Sequence, residues 1–119
     1  MSHEVPLRQR LRDGLPTAMK ARNRTAVTAL RSALAAIDNA EAVDGTAIPD
    51  SLAIERSPLG VGAAELPRRA LREADVEALV RKEIAEREAA ALEYDRMGRS
   101  DRADQLRGEA GVLAAFLAQ

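Results

Sequence analysis

The sequence predicts an all-α domain. Only 2% of its 119 residues are aromatic although 46% are hydrophobic, so leucine, valine, isoleucine and many alanines must form the core. Small alanine faces let helices pack closely, whereas a sheet core usually draws on β-branched and aromatic residues. Apolar residues also recur every three or four positions in four segments, the spacing of one helix face. We therefore expect four main helices, arranged as two antiparallel hairpins with a long irregular loop between helices 2 and 3.

The first predicted hairpin covers the N-terminal third of the chain. Helix 1 is expected over about residues 7–22, with a kink or break near residue 13, because Pro16 has no N–H for the carbonyl of Arg12. Asn23 is the expected N-cap of helix 2, over about residues 24–42. Helix 2 is apolar on most of its surface, so we expect it to lie at the centre of the bundle.

Residues 43–71 break the helical pattern, since glycine and proline recur through them. We expect a long loop here, inside a single domain of residues 1–119. Helix 3 is predicted over about residues 73–97, with Gly98 in the left-handed conformation that ends a helix. Ser100 or Asp101 should then cap helix 4, whereas Arg72, just before helix 3, is a poor N-cap residue. The two short links predict the antiparallel hairpins.

Composition excludes several kinds of chemistry. The chain has no cysteine and one histidine, His3, so it offers no disulfide, no thiolate nucleophile and no His/Cys zinc site. Gly60-Val61-Gly62 is a lone G-x-G without a third glycine or a preceding strand, which does not make a dinucleotide loop. We see no signal peptide and no apolar run of ~20 residues. We expect a cytoplasmic protein with no membrane contact, no cofactor, no metal site and no catalytic residue.

Charge is divided unevenly along the chain. Residues 1–31 carry seven basic and two acidic side chains, a local charge of +5, whereas residues 32–119 sum to −6. Such a division is typical of a surface for an anionic partner, although it can also serve internal ion pairs. The candidate contacts to RNA or another anion are Arg8, Arg12, Lys20, Arg22 and Arg24.

A second candidate site is polar and lies on helix 3. Glu83 and Arg87 fall within its apolar stripe at i,i+4 spacing, so they can pair with each other. Buried charges need partners and further hydrogen bonds, and the expected neighbours are Arg31, Asn39 and Lys82. Three interpretations stay open: an internal bridge that sets helix register, a polar pocket for a partner, and a catalytic site.

The last nine residues form an apolar segment with almost no polar face. Such a helix needs cover from the chain itself or from another molecule. The candidate interface residues are Val112, Phe116 and Leu117, which would support a homodimer or another protein–protein contact.

Several motifs follow one another in order along much of the chain. The N-terminal half contains Ala18-Met19-Lys20-Ala21-Arg22-Asn23 and Ala29-Leu30-Arg31-Ser32-Ala33-Leu34-Ala35-Ala36-Ile37-Asp38-Asn39-Ala40-Glu41. The C-terminal half contains Lys82-Glu83-Ile84, Met97-Gly98-Arg99-Ser100-Asp101-Arg102-Ala103 and Leu113-Ala114-Ala115-Phe116-Leu117. In these segments the sequence resembles the GatB/YqeY family, specifically its YqeY-like N-terminal helical domain, as a stand-alone form lacking the family's C-terminal tail domain.

The resemblance implies kinship with the tail of the B subunit of the glutamine-dependent amidotransferase that acts on glutamyl- or aspartyl-tRNA. In that enzyme amidation and glutamine hydrolysis occur in other domains, and the related tail helps to hold tRNA. We therefore expect a non-catalytic helical accessory module, associated with tRNA or amidotransferase subunits. Two alternatives are a homo-oligomerising interaction module unrelated to RNA, and a carbon–nitrogen ligase with glutamine as amido-nitrogen donor, which is the family's usual label.

Overall fold

The computed structural model describes residues 5–42 and 70–119. Within these ranges there are four helices and no strand, and 86% of the residues are helical, which confirms the all-α prediction. The helices are α1 (Leu7–Lys20), α2 (Arg24–Ala42), α3 (Glu73–Arg96) and α4 (Ser100–Ala118). Residues 43–69, which make up nearly all of the expected loop, lie outside the described residues, as do His3 and the Gly60-Val61-Gly62 sequence.

Helix α1 runs without interruption through Pro16, so a break near residue 13 is wrong, whereas a kink there stays a prediction. Pro16 and Arg12 are both exposed, so water can bind the carbonyl group that loses its intrahelical hydrogen bond. The helix begins against α3, because the Leu7 backbone N–H donates to Glu73 Oε2 over 2.9 Å. The Glu73 carboxylate therefore supplies an acceptor for a free N–H at the positive end of α1.

The turn between α1 and α2 is tight and is closed by backbone hydrogen bonds. Helix α1 ends at Lys20 instead of the predicted Arg22, which adopts a left-handed conformation at φ 58°. The N–H of Asn23 donates to the carbonyl of Ala18 over 2.9 Å, and that of Arg22 donates to Met19 over 3.0 Å, the pattern of a Schellman motif. The Asn23 side chain accepts from the Ala26 N–H over 3.1 Å, so the predicted N-cap of α2 is confirmed.

The turn between α3 and α4 has the same form, with glycine at the left-handed position. Gly98 has φ 76°, and the Arg99 N–H donates to the carbonyl of Tyr94 over 2.8 Å, so Gly98 ends α3 as predicted. The predicted cap of α4 is wrong. The N-cap residue is Arg99, without a side-chain hydrogen bond, because Ser100 already has helical conformation and its side chain cannot serve the N-cap position.

At the start of α3, Arg72 is the N-cap residue and its own backbone N–H donates to Asp75 Oδ2 over 3.0 Å. One half of a capping box is therefore in place without a serine or threonine.

One hydrophobic core joins the two hairpins. Its fully buried side chains come from all four helices, and the largest are Leu7, Leu11, Leu30, Ile37, Val80 and Leu113. Helix α2 packs against each of the other three helices, as do the other helices, so its central position stays a prediction. A smaller cluster, built on Ala91, Ala103 and Leu106, closes the α3–α4 hairpin near its turn. Among the described residues, no helix combines the length and the apolar character that a membrane crossing requires.

Candidate functional site

A buried ion-pair network connects α2, α3 and α4. Arg87 lies at its centre: its Nη1 donates to Glu83 Oε1 over 2.8 Å and its Nε donates to Glu109 Oε1 over 3.0 Å. The exposed fractions of the three side chains are 12% for Arg87, 15% for Glu83 and 5% for Glu109. Ser32 Oγ donates to Glu83 over 2.8 Å, and Gln105 Nε2 donates to Glu109 over 2.9 Å. Each carboxylate therefore has a second donor besides the arginine.

The network differs from the predicted polar constellation in its membership. Glu83 and Arg87 pair as their spacing indicated, but Arg31 and Asn39 are exposed on α2. Lys82 faces solvent, where its nearest carboxylate is that of Glu86 at 3.9 Å. None of these three residues joins the pair, because helix α2 turns Ser32, and not the flanking Arg31, toward α3.

Sequence reasoning missed three members of the network: Ser32, Gln105 and Glu109. The signal for Glu109 was available, since it follows Leu106 by three positions and precedes Leu113 by four, which places it on the buried face of α4. No signal was available for the choice of Glu109 as the partner of Arg87, because that depends on how α3 and α4 align.

The hydrogen bonds of the network are made within the chain, since each carboxylate accepts one from Arg87 and one from a second side chain. With two carboxylates and one guanidinium the network carries a formal charge of −1. Among the described residues no group of three or more histidine, cysteine, aspartate or glutamate side chains is arranged to hold a metal ion. The geometry is that of a bridge that fixes the register of three helices.

Of the candidate anion contacts, Arg8 is bound within the chain. Its two terminal nitrogens donate to both carboxylate oxygens of Glu41, over 2.7 and 2.8 Å, and Nη2 also donates to Asp38 over 2.7 Å. The hydrogen bond with Glu41 is the main cause that raises the pKa of Arg8 above its ordinary value, and Asp38 adds to it against the opposing effect of burial. Arg8 ties α1 to the end of α2 and is not available to an external anion.

The candidate interface residues at the end of α4 are partly covered within the chain, and their contact with another molecule stays a prediction. Val112, Phe116 and Leu117 are partly buried and pack against the main core. The Phe116 ring lies over Gly14 of α1 so closely that a Cβ there would be 2.6 Å from Cζ. Arg10 Nη1 also donates to the Phe116 carbonyl over 2.6 Å, which places a positive charge at the negative end of α4.

The remaining cations of the first hairpin have side chains without partners among the described residues. Arg12, Lys20, Arg22, Arg24 and Arg31 are all exposed, and none of their side chains forms a hydrogen bond or an ion pair with any residue that the structure describes. Three of them, Arg22, Arg24 and Arg31, line one open groove of about 510 Å³ beside the α1–α2 turn. We call this surface the arginine groove; Met19, Val27 and Thr28 complete its lining.

The second hairpin shows the opposite pattern. Residues 70–119 carry eight basic side chains, and seven of them lie within 4 Å of a carboxylate. The eighth, Arg102, lies over the ring of Tyr94 with its guanidinium carbon 5.9 Å from the ring centre. A high arginine content therefore does not by itself explain why cations of the first hairpin lack partners.

Arg22 occupies a backbone conformation that suits glycine. The left-handed region costs a residue with a Cβ about 1 kcal/mol, and the equivalent position of the other hairpin is Gly98. Strained backbone of this kind is concentrated at functional sites, where the side chain is needed in spite of its conformation. The residue that carries this strain is also one of the three arginines of the groove.

Comparison of the chain with models of protein families, with curated proteins and with solved structures finds no match. The interpretation of the groove therefore depends on its own geometry and charge.

Proposed function

We propose that the protein is a non-catalytic helical accessory module that binds RNA through the first hairpin. The observation that carries the proposal is the arginine groove, with three unpaired guanidinium groups along one groove and two further unpaired cations, Arg12 and Lys20, on the adjoining helix α1. The side chains of these five residues have no intramolecular partner among the described parts of the chain, which supports a role in binding an external anion.

The chemistry of the groove suits phosphodiesters. Arginine presents donors in a planar fork that matches two oxygens of a phosphate group. Four contacts of this kind, with a fifth from the ammonium group of Lys20, would position a nucleic-acid backbone without reading its sequence. The sequence resemblance to the YqeY-like helical domain supports a tRNA as the RNA concerned, with this chain holding the tRNA while another protein carries out the amidation.

A salt series tests the proposal. Fluorescence anisotropy of labelled bulk tRNA should show binding at low ionic strength that weakens roughly a hundredfold between about 50 and 200 mM salt, as expected for up to five phosphate contacts. The variant Arg22→Gln/Arg24→Gln/Arg31→Gln should reduce the slope of log K against log salt by about 2 to 3.

The matched control removes the same charge from the other hairpin. Arg81, Arg96 and Arg99 form exposed ion pairs on α3 and at the α3–α4 turn, and their replacement by glutamine should leave the slope unchanged. No tRNA binding at low salt, a flat salt response, or equal losses in the two triple variants would each reject the proposal.

A further inference from the structure

We infer that the arginine groove receives an unpaired nucleotide, with its phosphates on the arginines and its base against the apolar floor. This inference rests on the proposed function and adds the form of RNA that is recognised: a single-stranded loop or end instead of a duplex.

The lining of the groove alternates cationic and apolar groups along one face of α2. Arg24, Val27, Thr28 and Arg31 stand at positions i, i+3, i+4 and i+7, so they form one stripe of the helix. At 1.5 Å per residue, the two arginines are about 10 Å apart along the helix axis. Val27 and Thr28 lie between them, so a ligand that bridges both arginines must pass over an apolar patch.

Met19 enlarges this apolar patch from the side of α1. Its side chain is 49% exposed, although methionine is usually a core residue. Thioether sulfur makes favourable contacts with aromatic rings, and a nucleobase is the aromatic ring that accompanies a phosphate in RNA. The hydroxyl of Thr28 can donate to or accept from a base edge or a ribose hydroxyl.

An unpaired nucleotide is the form of RNA that fills such a groove. In a duplex the bases are stacked and paired, so the backbone alone would reach the protein and the patch of Met19 and Val27 would stay uncovered. A base in a single-stranded loop or end can turn outward and stack on guanidinium planes. Phosphate binding by the arginines and base contact with the floor can then occur together, which neither a duplex nor a polyanion without rings allows.

The test compares probes that share a backbone charge and differ in their bases. Anisotropy titrations would use a short labelled single-stranded oligonucleotide, an abasic oligonucleotide of the same length and a duplex with the same total number of phosphates. We expect the single strand to bind about ten times more tightly than the abasic and duplex probes, within the range measured for base stacking on side chains. Met19→Ser should remove most of this preference and leave binding of the abasic probe unchanged.

The chain provides a matched control in Met97, which is 64% exposed beside the other turn. Met97→Ser should change none of the three affinities. Equal affinity for the three probes would overturn this inference and leave the proposed function intact, because RNA would still be bound through its backbone. Binding of none of the probes at low salt would reject the proposed function itself. Polyglutamate is a polyanion without rings. If it displaced the single strand at equal charge concentration, the groove would recognise charge alone, and the inference would also be overturned.

Discussion

Replacement of Arg87 by alanine should destabilise the protein by about 3 to 5 kcal/mol. The variant leaves the carboxylates of Glu83 and Glu109 in the interior without the cation that lies between them. Arg87 makes one charge-assisted hydrogen bond to each, at 2.8 and 3.0 Å, and such bonds contribute roughly 1.5 to 3 kcal/mol each. The sum agrees with the range for breaking a buried ion pair, and it approaches the whole stability of a small domain, about 5 to 15 kcal/mol.

Urea unfolding followed by far-UV circular dichroism measures this loss. The control is Arg81→Ala on the same helix, where the guanidinium is 64% exposed and lies 3.6 Å from Glu77. An exposed pair of this kind contributes about 0 to 1 kcal/mol, so the midpoint of the control should lie close to that of the wild type. If the two alanine variants lost equal stability, the account of the network as a buried bridge would be wrong.

A second variant separates lost charge balance from lost packing. Substituting methionine at Glu83, Arg87 and Glu109 together replaces the bridge by apolar side chains of similar length. Buried ion networks replaced in this way often yield proteins of equal or greater stability. We expect the triple variant to be at least as stable as the wild type, in contrast to Arg87→Ala. A triple variant that unfolds as easily as Arg87→Ala would show that the shape of these side chains, and not their charge, determines the loss.

Three further substitutions test the turns and the helix contacts. Arg22→Gly should stabilise the protein by about 0.5 to 1 kcal/mol, because relief of the left-handed strain exceeds the added entropy of the unfolded chain, and Gly98→Arg should destabilise it by about 1 kcal/mol. Thermal unfolding measures the stability change of both variants, and changes of the same sign would refute the explanation by backbone strain. Gly14→Ala should destabilise by roughly 1 kcal/mol because the new Cβ would meet the Phe116 ring at 2.6 Å. Gly111→Ala, with nothing within 4 Å, should instead stabilise through helix propensity by about 0.5 to 1 kcal/mol; destabilisation by both alanines would contradict this reasoning.

The sequence was sufficient for features that depend on residues close together in the chain. Helix periodicity predicted the four helices, and Asn23 and Gly98 perform the roles that their side chains and φ preferences indicated. The break predicted near residue 13 is absent because the loss of a single backbone hydrogen bond at an exposed position is smaller than the packing energy of the face that carries Leu11 and Ala18.

Features that depend on the alignment of distant helices could not be predicted. Glu83 and Arg87 were recognisable as a pair, but Glu109 becomes their partner only because α3 and α4 align at that level. The same limit applies to Arg8, which looked like a free cation until α2 placed Glu41 and Asp38 beside it. Spacing within one helix fixes a face, whereas the identity of the neighbour across that face requires the crossing of two helices.

Arg22 lowers the stability of its turn, whereas the proposed function of the groove needs its side chain. If this residue served only the turn, glycine would serve better, since Gly98 forms the same hydrogen-bond pattern without strain. The side chain gains nothing inside the protein to offset the strain, because it has no hydrogen bond or ion pair among the described residues. Under the proposed function, bound RNA supplies this compensation, through phosphates that the two neighbouring arginines of the groove would share. We therefore expect Arg22→Gly to make the protein more stable and to weaken its binding of RNA.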